Sequence, residues 1–333
     1  MSRNVAVMLG GQASQEVGMG YEAHKACDEA RRIFEIAGQV AGENLTEYCW
    51  GSKTDKLDGA IVQPALGAAL LADLAWMKQK GLKPALYMGH SVSEITALGA
   101  AGAFSLEDTF KILTIRGLAM EEADKQNPGE MRAFIGHTPE EMKWLLEFAN
   151  SRIQKIQSSA AWIAMSNWRE QHVVSGDNAV INLLEKASIR LQELGRVSKA
   201  RVRFVRKGAA HTPHMEPAAE RVREEIERAS KDSPELPVLA NDGNYLLNPD
   251  LFADYLVGQL THTADWRLSM WVAATDGYRY FAEPGAKDLM TSFIKKEFPE
   301  YSILKKQFGN VVKLEQIPQM PDDINKQFES LVA

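Results

Sequence analysis

Ser91 lies in a short segment whose residue types and spacing suit a catalytic nucleophile. Residues 89–94 (Gly-His-Ser-Val-Ser-Glu) follow the apolar run 85–88, which predicts a buried strand, and precede a helical pattern at 95–101. A serine at such a strand-to-helix turn projects its hydroxyl from a sharp bend, and the following helix offers N–H groups to a developing oxyanion. The usual pattern is Gly-x-Ser-x-Gly, and Ser93 stands at its last position here. Taken alone, the segment also suits an ordinary tight turn without chemistry.

The elements that must position this turn alternate between strands and helices. Short apolar runs at 5–9 and 85–88 predict buried strands, and the patterns at 63–80 and from Ser105 onward predict helices. This alternation predicts an α/β fold with a mainly parallel sheet.

A second pattern interrupts the first. From residue 129 the order is strand, helix, strand, strand, helix, strand, which is the ferredoxin-like arrangement. The α/β pattern then resumes, and the last residues are polar and weakly periodic, with one helix expected near 322–332. The sequence therefore predicts an α/β core at 1–128 and 207–300, an inserted ferredoxin-like subdomain at 129–206, and a C-terminal surface tail at 301–333.

Composition excludes several classes of protein. The 333 residues include 38 basic and 44 acidic side chains, and the net charge of −6 argues against general nucleic-acid binding. No apolar run reaches the ~20 residues of a membrane-spanning helix, and the N-terminus has no signal-peptide pattern. Cys27 and Cys49 cannot form a disulfide framework and lack metal-ligand spacing. We expect a cytoplasmic protein with reduced cysteines.

Several motifs occur in a fixed order along the chain. They are Met8–Gln15, Val62–Leu66, the Ser91 segment, Ile115–Met120, Ser166-Asn167, Ala210–Met215, Gln259-Leu260 and Glu283–Gly285. Together they resemble the malonyl-CoA:acyl-carrier-protein transacylase family, which fatty-acid synthesis shares with the acyltransferases of polyketide synthases. The resemblance covers roughly residues 4–296 and implies an α/β-hydrolase-like core with a ferredoxin-like insertion.

The resemblance implies a serine–histidine dyad. Ser91 would accept the acyl group, and His211 would be the general base, because a serine hydroxyl is a poor nucleophile until an imidazole takes its proton. The backbone carbonyl of Gln259 would orient His211, and backbone N–H groups of Gln12 and Val92 would hold the oxyanion. His214 lies only three residues from His211, but the family motif places the base on the loop before the following helix, which favours His211.

Arg116 bears on the class of substrate. The family uses an arginine at this point to grip the free carboxylate of a malonyl group through two parallel hydrogen bonds, which a lysine cannot reproduce. The resemblance also assigns Gln63, His90 and Asn167 to substrate binding. Three of these four residues have an ordinary alternative: a solvated helix arginine for Arg116, a helix-start polar residue for Gln63, and a turn asparagine for Asn167.

The chain departs from the family pattern at three places. Residues 10–13 are Gly-Gly-Gln-Ala where the family has Pro-Gly-Gln-Gly, and Ser93 replaces a glycine, which could weaken catalysis. The residues before His211 are Gly208-Ala209-Ala210, all small, and we expect them to leave room for a substituted or larger acyl group. These departures favour a polyketide setting over fatty-acid synthesis.

A basic run precedes the histidine motif. It comprises Lys199, Arg201, Arg203, Arg206 and Lys207. This run suits either a docking patch for an acidic carrier protein or coenzyme A phosphates, or a solvated face.

The implied reaction moves a malonyl-type group from coenzyme A, through Ser91, to the phosphopantetheine thiol of an acyl carrier protein. No metal or redox cofactor is expected, and the chain is expected to act as a monomer, in trans on separate carrier proteins. Three alternatives remain open at this stage: an acyl hydrolase, a carrier-to-carrier acyltransferase, and a catalytically weak homologue that docks carrier proteins.

Overall fold

The computed structural model describes residues 4–155, 158–197, 199–285, 287–304 and 310–332. Contacts divide the chain into two compact units. Unit 1 comprises Met1–Leu118, Arg221–Leu256 and Leu268–Ala333, and unit 2 comprises Ala119–Glu220 and Val257–Arg267.

The described residues contain strands, α-helices and short 3₁₀ turns in alternation. The strands are β1 (Val5–Leu9), β2 (Pro84–Gly89), β3 (Glu130–Ile135), β4 (Ala161–Trp168), β5 (Gln171–Gly176), β6 (Arg201–Lys207), β7 (Val238–Leu239), β8 (Tyr280–Glu283), β9 (Tyr301–Leu304) and β10 (Asn310–Leu314). The helices are α1 (Tyr21–Ala26), α2 (Asp28–Ala41), α3 (Leu45–Cys49), α4 (Val62–Gln79), α5 (Ser93–Ala100), α6 (Leu106–Gln126), α7 (Pro139–Gln154), α8 (Asn178–Glu193), α9 (Glu216–Arg228), α10 (Phe252–Thr261), α11 (Trp266–Thr275), α12 (Leu289–Glu297) and α13 (Asp322–Val332). The 3₁₀ turns are Thr54–Lys56, Gly59–Ile61, Pro213–Met215 and Pro249–Leu251.

Unit 1 is built on a six-stranded sheet in the order β7-β2-β1-β8-β10-β9. The first four strands of this order are parallel, and β10 and β9 pair antiparallel at the other edge. β1 is completely buried, which explains why its sequence is a continuous apolar run rather than an alternating one. The predicted parallel α/β sheet is therefore present.

The C-terminal residues differ from the expected surface tail. Two segments of this region, β9 and β10, extend the sheet of unit 1, and β10 pairs with β8 in antiparallel register. The helix expected near 322–332 is present as α13. Val311, Val312 and Leu314 of β10 are buried, but Lys313 interrupts them and polar residues flank them, so the sequence lacks the continuous apolar run that marks the other buried strands.

Unit 2 is built on a four-stranded antiparallel sheet in the order β4-β5-β3-β6. Its elements follow one another as β3, α7, β4, β5, α8 and β6, the order that the sequence predicts. The two helices cover an apolar cluster that includes Phe134, Met142 and Leu184. α7 begins with a complete capping box between Thr138 and Glu141, which satisfies two of the N–H groups at its start. Unit 2 extends beyond the predicted subdomain at both ends and includes 257–267.

Contrary to the expectation from the apolar runs, one segment in the described part of the chain, Gly59–Gln79, is long and apolar enough to cross a membrane by length and composition. Most of it is buried inside the protein, because α4 packs against α1, α2 and α3 within unit 1. Its apolar residues are therefore those of a core helix.

Candidate active site

Ser91 occupies the turn between β2 and α5, as the sequence predicts. Its φ of 53° lies in the left-handed region, which an L-residue other than glycine rarely adopts. The preceding Gly89 is required by close packing, because a Cβ there would overlap the backbone carbonyl of Ser93. The chain therefore makes the sharp bend of a nucleophile elbow although its last motif position is a serine.

The side chain of Asn241 holds this bend from the loop after β7. Its Oδ1 accepts the backbone N–H of Ser91 at 2.7 Å, and its Nδ2 donates to the carbonyl of Gly89 at 2.6 Å. The backbone N–H of Asn241 in turn donates to Oε1 of Glu94 at 2.5 Å, and both side chains are buried. Sequence analysis missed Asn241, because a polar residue in a loop 150 positions away carries no local signal, and it gave Glu94 no role although Glu94 lies within the Ser91 segment.

The loop that carries Gln12 begins where β1 ends. β1 and β2 are adjacent and parallel, with Leu9 opposite Gly89, so Gln12 and Ser91 follow the same edge of the sheet. Val92 directly precedes α5, and the first N–H groups of a helix have no acceptor within the helix. The topology of unit 1 thus puts the two predicted oxyanion donors after neighbouring strands.

His90 packs against this loop. A Cβ on Gly11 would lie 2.6 Å from both Nδ1 and the backbone oxygen of His90, so only glycine fits there. The N–H of His90 donates to the carbonyl of Leu9 at 2.9 Å, and its ring lies near Phe293. The predicted substrate-binding role of His90 stays a prediction, and the structure adds a packing role.

Ser93 is tied to the same loop. Its side chain is 1% exposed, and its Oγ donates to the carbonyl of Gly10 at 2.7 Å. The hydroxyl that replaces the family's glycine is therefore accommodated by a hydrogen bond rather than by an open space.

Arg116 and Gln63 meet inside unit 1. Nη1 of Arg116 donates to Oε1 of Gln63 at 3.0 Å, and each residue is only 2% exposed. Gly117 lets α6 approach the 3₁₀ turn before α4, since a Cβ on it would overlap the carbonyl of Ala60. The burial of Arg116 excludes the solvated-arginine interpretation, whereas Gln63 is a buried polar residue in the first turn of α4, which leaves its helix-start interpretation open. A buried guanidinium with a planar fork of donors is suited to a carboxylate ligand.

His211 and Gln259 meet inside unit 2. Nδ1 of His211 lies 2.7 Å from the backbone oxygen of Gln259, which can only accept, so Nδ1 carries the proton. Nε2 is then the nitrogen that accepts a proton in the neutral ring. The backbone of His211 has φ of 61°, again in the left-handed region. This arrangement agrees with the orienting carbonyl that the resemblance implies.

Asp124 organises the loop before His211. It accepts the backbone N–H of Ala209 at 3.2 Å and pairs with Arg206, and burial raises the pKa of its carboxyl group. Gly208 has φ of 88°, and a Cβ on it would overlap the Asp124 carboxylate. Ala209 is fully buried and packs against Gly129. Gly208 and Ala209 are therefore small for local packing reasons, and their size leaves no space by itself.

His214 has different partners from those of His211. Its Nε2 lies 3.4 Å from Oδ1 of Asp177, its Nδ1 lies 3.3 Å from Oγ1 of Thr212, and its ring meets Trp162 edge-on. Both ring nitrogens thus have side-chain partners within unit 2. These contacts give His214 a structural role and favour His211 as the base.

The remaining predicted residues of unit 2 divide into buried and exposed groups. Asn167 is buried on β4, so it is not an exposed turn residue. Of the basic run, Arg206 is engaged by Asp124, whereas Lys199, Arg201 and Arg203 are exposed near or on β6, an edge strand. Within the described ranges, no cluster of three or more His, Cys, Asp or Glu side chains could hold a metal ion.

Backbone strain coincides with the predicted chemistry. Among the described residues, three non-glycine residues have left-handed φ: Ala13 at 93°, Ser91 at 53° and His211 at 61°. Each costs roughly 1–2 kcal/mol relative to the right-handed conformation, and such strain is concentrated at functional sites. The three lie next to the predicted oxyanion donor, at the predicted nucleophile and at the predicted base.

Comparisons with known proteins agree with one another. Residues 8–329 match the family described as acyl transferase domain. The chain is 28% identical over 294 residues to the malonyl CoA-acyl carrier protein transacylase of Bacillus subtilis strain 168, over 88% of this chain and 90% of that protein.

Solved structures show the same likeness. The malonyl-CoA:acyl carrier protein transacylase of Xanthomonas oryzae pv. oryzae has a TM-score of 0.79 at 30% identity, over 89% of this chain and 92% of that chain. The acyl-carrier-protein-S-malonyltransferase of Bartonella henselae has a TM-score of 0.80 at 26% identity, over 99% of this chain and 100% of that chain. The predicted mixed α/β fold class is confirmed.

Proposed function

Because this chain belongs to the acyl transferase domain family, we propose that it transfers a malonyl group from coenzyme A to the phosphopantetheine thiol of an acyl carrier protein. The curated relatives that it resembles along most of its length are named malonyl CoA-acyl carrier protein transacylases, which supports both the acyl group and the acceptor. The family resemblance inferred from the motifs is thereby confirmed.

The buried Arg116–Gln63 pair, which lies in the same unit as Ser91, is the observation that favours a dicarboxylic acyl group. Gln63 accepts a hydrogen bond from the buried guanidinium and helps to orient it. The free carboxylate of a malonyl group presents two acceptor oxygens that match the geometry of the guanidinium fork. An acyl hydrolase acting on hydrophobic chains would gain nothing from this arginine.

The proposed reaction has two balanced steps. Oγ of Ser91 attacks the thioester carbonyl while His211 Nε2 takes its proton; the carbon–sulfur bond breaks, and His211 returns the proton to the departing coenzyme A thiolate. In the second step His211 takes the proton of the phosphopantetheine thiol, and the thiol sulfur attacks the serine ester. The bond between the acyl carbon and Oγ then breaks, and His211 returns the proton to Oγ of Ser91. Backbone N–H groups of Gln12 and Val92 would stabilise the oxyanion in both steps.

Neither step needs a metal or a redox group. We therefore expect the transfer rate to be unchanged after treatment with a chelator. We also propose a cytoplasmic location, where coenzyme A thioesters and carrier proteins would meet the enzyme.

Intact-protein mass spectrometry after incubation with malonyl-CoA tests this function. The wild-type chain should gain one malonyl group, Ser91→Ala should gain none, and the exposed-serine control Ser105→Ala should behave as wild type. Addition of a phosphopantetheinylated carrier protein should remove the label and acylate the carrier. Labelling that survives in Ser91→Ala would refute the acyl-serine, and transfer of the label only to water would indicate a hydrolase.

Only one of the three small residues before His211 still supports the prediction of a substituted acyl group. Gly208 and Ala209 are small because of Asp124 and Gly129, so the prediction now depends on Ala210. Competition between malonyl-CoA and methylmalonyl-CoA for Ser91 tests it, and strict malonyl selectivity would refute it. Acceptance of the substituted thioester would also support the polyketide setting.

A further inference from the structure

We propose that Ser93 and Lys287 are positioning residues that fix residues 10–15, hereafter the Gln12 loop, so that the Gln12 N–H is held ready for the oxyanion. The inference rests on the proposed function, in which that N–H is an oxyanion donor. It concerns the places where this chain departs from the family pattern, and all of the contacts lie within unit 1.

The Gln12 loop has features that favour other conformations. Gly10 has a freer backbone than the proline that the family uses, because proline locks φ. Ala13 has φ of 93°, a conformation that its Cβ disfavours. Internal hydrogen bonds hold the loop's local shape: Oγ of Ser14 donates to the carbonyl of Gly11 at 2.7 Å, and the N–H of Ala13 donates to Oε1 of Gln15 at 2.6 Å. These bonds do not fix the loop relative to the elements around it.

Ser93 anchors the N-terminal side of the loop. It lies two residues after Ser91, at the start of α5, and its buried Oγ donates to the carbonyl of Gly10 at 2.7 Å. The loop is thereby attached to the helix whose start carries the nucleophile. A glycine at position 93 could not make this bond.

Lys287 anchors the C-terminal side of the loop. Its Nζ donates to the carbonyl of Gln15 at 2.8 Å and to the carbonyl of Ala13 at 3.2 Å. Charge-assisted bonds of this kind are stronger than neutral ones. One of the two carbonyls belongs to the strained residue, so the ammonium group directly stabilises the left-handed conformation of Ala13.

The start of α12, which follows Lys287 closely in the chain, is itself held in place. Glu283 ends β8, which pairs with β1, and its carboxylate accepts the N–H groups of Met290 and Thr291 at 2.9 and 2.8 Å. The start of α12 is therefore held to the strand beside the one that leads into the Gln12 loop. The backbone carbonyls of residues 10, 13 and 15 all accept hydrogen bonds from side chains outside the loop, and Gln12 lies between the first two of these residues.

Single-turnover acylation of Ser91 by malonyl-CoA tests the catalytic part of the inference. Ser93→Ala and Lys287→Met should each lower the acylation rate at saturating malonyl-CoA about tenfold, less than the loss of a whole oxyanion donor. The dissociation constant for malonyl-CoA should change less than twofold, because an oxyanion contact is made only in the transition state. Lys111→Met, which removes an exposed lysine paired with Asp108, is the matched control.

Rescue variants separate positioning from general stability. Lys287→Arg keeps a charged donor and should retain most of the rate. Ala13→Gly removes the strain that Lys287 offsets, so it should restore much of the rate when combined with Lys287→Met. Equal loss with and without Ala13→Gly would contradict the role of Lys287.

Hydrogen–deuterium exchange of the peptide containing residues 10–15 gives a readout that does not depend on activity. Exchange should speed up at least tenfold in Ser93→Ala and in Lys287→Met, and stay unchanged in Lys111→Met. Unchanged exchange in both test variants would overturn the inference. If malonyl-CoA labels the wild type while the acylation rates of the variants match it, the inference fails and the proposed function stands. If malonyl-CoA does not label the wild type, the proposed function fails, and exchange alone decides whether these residues hold the loop.

Discussion

The amide of Asn241 spans the turn at Ser91, accepting the Ser91 N–H at 2.7 Å through Oδ1 and donating to the Gly89 carbonyl at 2.6 Å through Nδ2. One planar amide group thus pairs with a backbone N–H on one side of the sharp bend and a backbone carbonyl on the other. Because both groups are buried, leaving them without partners would be costly. Asn241 therefore stabilises the left-handed conformation of the nucleophile.

Replacing Asn241 by alanine should slow acylation and destabilise unit 1. Loss of two buried hydrogen bonds costs about 2–4 kcal/mol of unfolding free energy, and relaxation of the turn should lower the acylation rate about tenfold or more. Urea unfolding and single-turnover labelling measure the two effects. Asn244→Ala is the matched control, because the Asn244 side chain bonds only to nearby Asp242 among the contacts described. Normal acylation in Asn241→Ala would show that the turn holds its shape without this brace.

Replacing Arg116 should change acyl selectivity rather than abolish acylation. Arg116→Met removes the fork that would bind the malonyl carboxylate, a loss of ~1.5–3 kcal/mol, equivalent to roughly 10- to 150-fold in kcat/KM for malonyl-CoA. Acylation by acetyl-CoA, which has no free carboxylate, should be unchanged or faster. Arg116→Lys should recover little, since an ammonium group cannot form two parallel bonds. Parallel losses for both thioesters would mean that Arg116 supports the fold instead.

Replacing Gly208 by alanine should disturb the loop that carries His211. The added Cβ would meet the Asp124 carboxylate at a position with φ of 88°, so strain and overlap act together. We expect a loss of about 2–4 kcal/mol in unfolding free energy, within the range of severe single substitutions, and a slower acylation rate. Gly195→Ala is the control for strain alone, because its φ is 66° and nothing lies within 4 Å of the added atom. Similar losses in the two variants would contradict the role of Asp124.

The stability of unit 2 should depend on pH through His172. Burial, followed by the charge of Arg267, lowers the pKa of His172 to about 4. Between pH 6.5 and 4 the unfolded chain then binds more protons than the native chain, so stability falls as the pH falls through this range. The loss at pH 5 is about 2 kcal/mol relative to pH 7.

Urea unfolding at pH 7 and pH 5 measures this dependence. The variant His172→Gln has no side chain at position 172 that titrates between pH 7 and pH 5. Its loss of unfolding free energy between these two pH values should therefore be smaller than that of the wild type, by the amount that His172 contributes. The exposed His262 provides the control variant His262→Gln, which should keep the wild-type difference. An unchanged difference in His172→Gln would show that other groups cause the pH dependence.

Local sequence patterns predict the elements that stand on either side of the chemistry. The strand before Ser91 and the helix after it follow from runs of apolar residues and turn residues within a few positions, whereas the loop position of His211 was implied by the family resemblance. The order of the elements in unit 2 is equally local, because each strand or helix is long enough to show its own period.

Contacts between distant segments could not be predicted in this way. Asn241 is 150 positions from Ser91, and Lys287 is 274 positions from Ala13. In the sequence, Ser93 at the place of a glycine suggested a weakened elbow. Its hydrogen-bond partner, the Gly10 carbonyl, becomes apparent only when β1 and β2 lie side by side. The same limit applies to Gly208, whose small size suggested an open pocket until Asp124 was placed against it.

The left-handed backbone at Ala13, Ser91 and His211 has a consequence for any selection that rewards heat resistance alone. Glycine adopts this conformation without penalty, so such a selection would favour glycine wherever little else is lost. At 91 glycine would remove the nucleophilic hydroxyl and leave an inert protein, and at 211 it would also remove a buried imidazole and its bond to Gln259, which opposes the gain. At 13 no reacting group is lost, so a gain in thermal stability is compatible with turnover there.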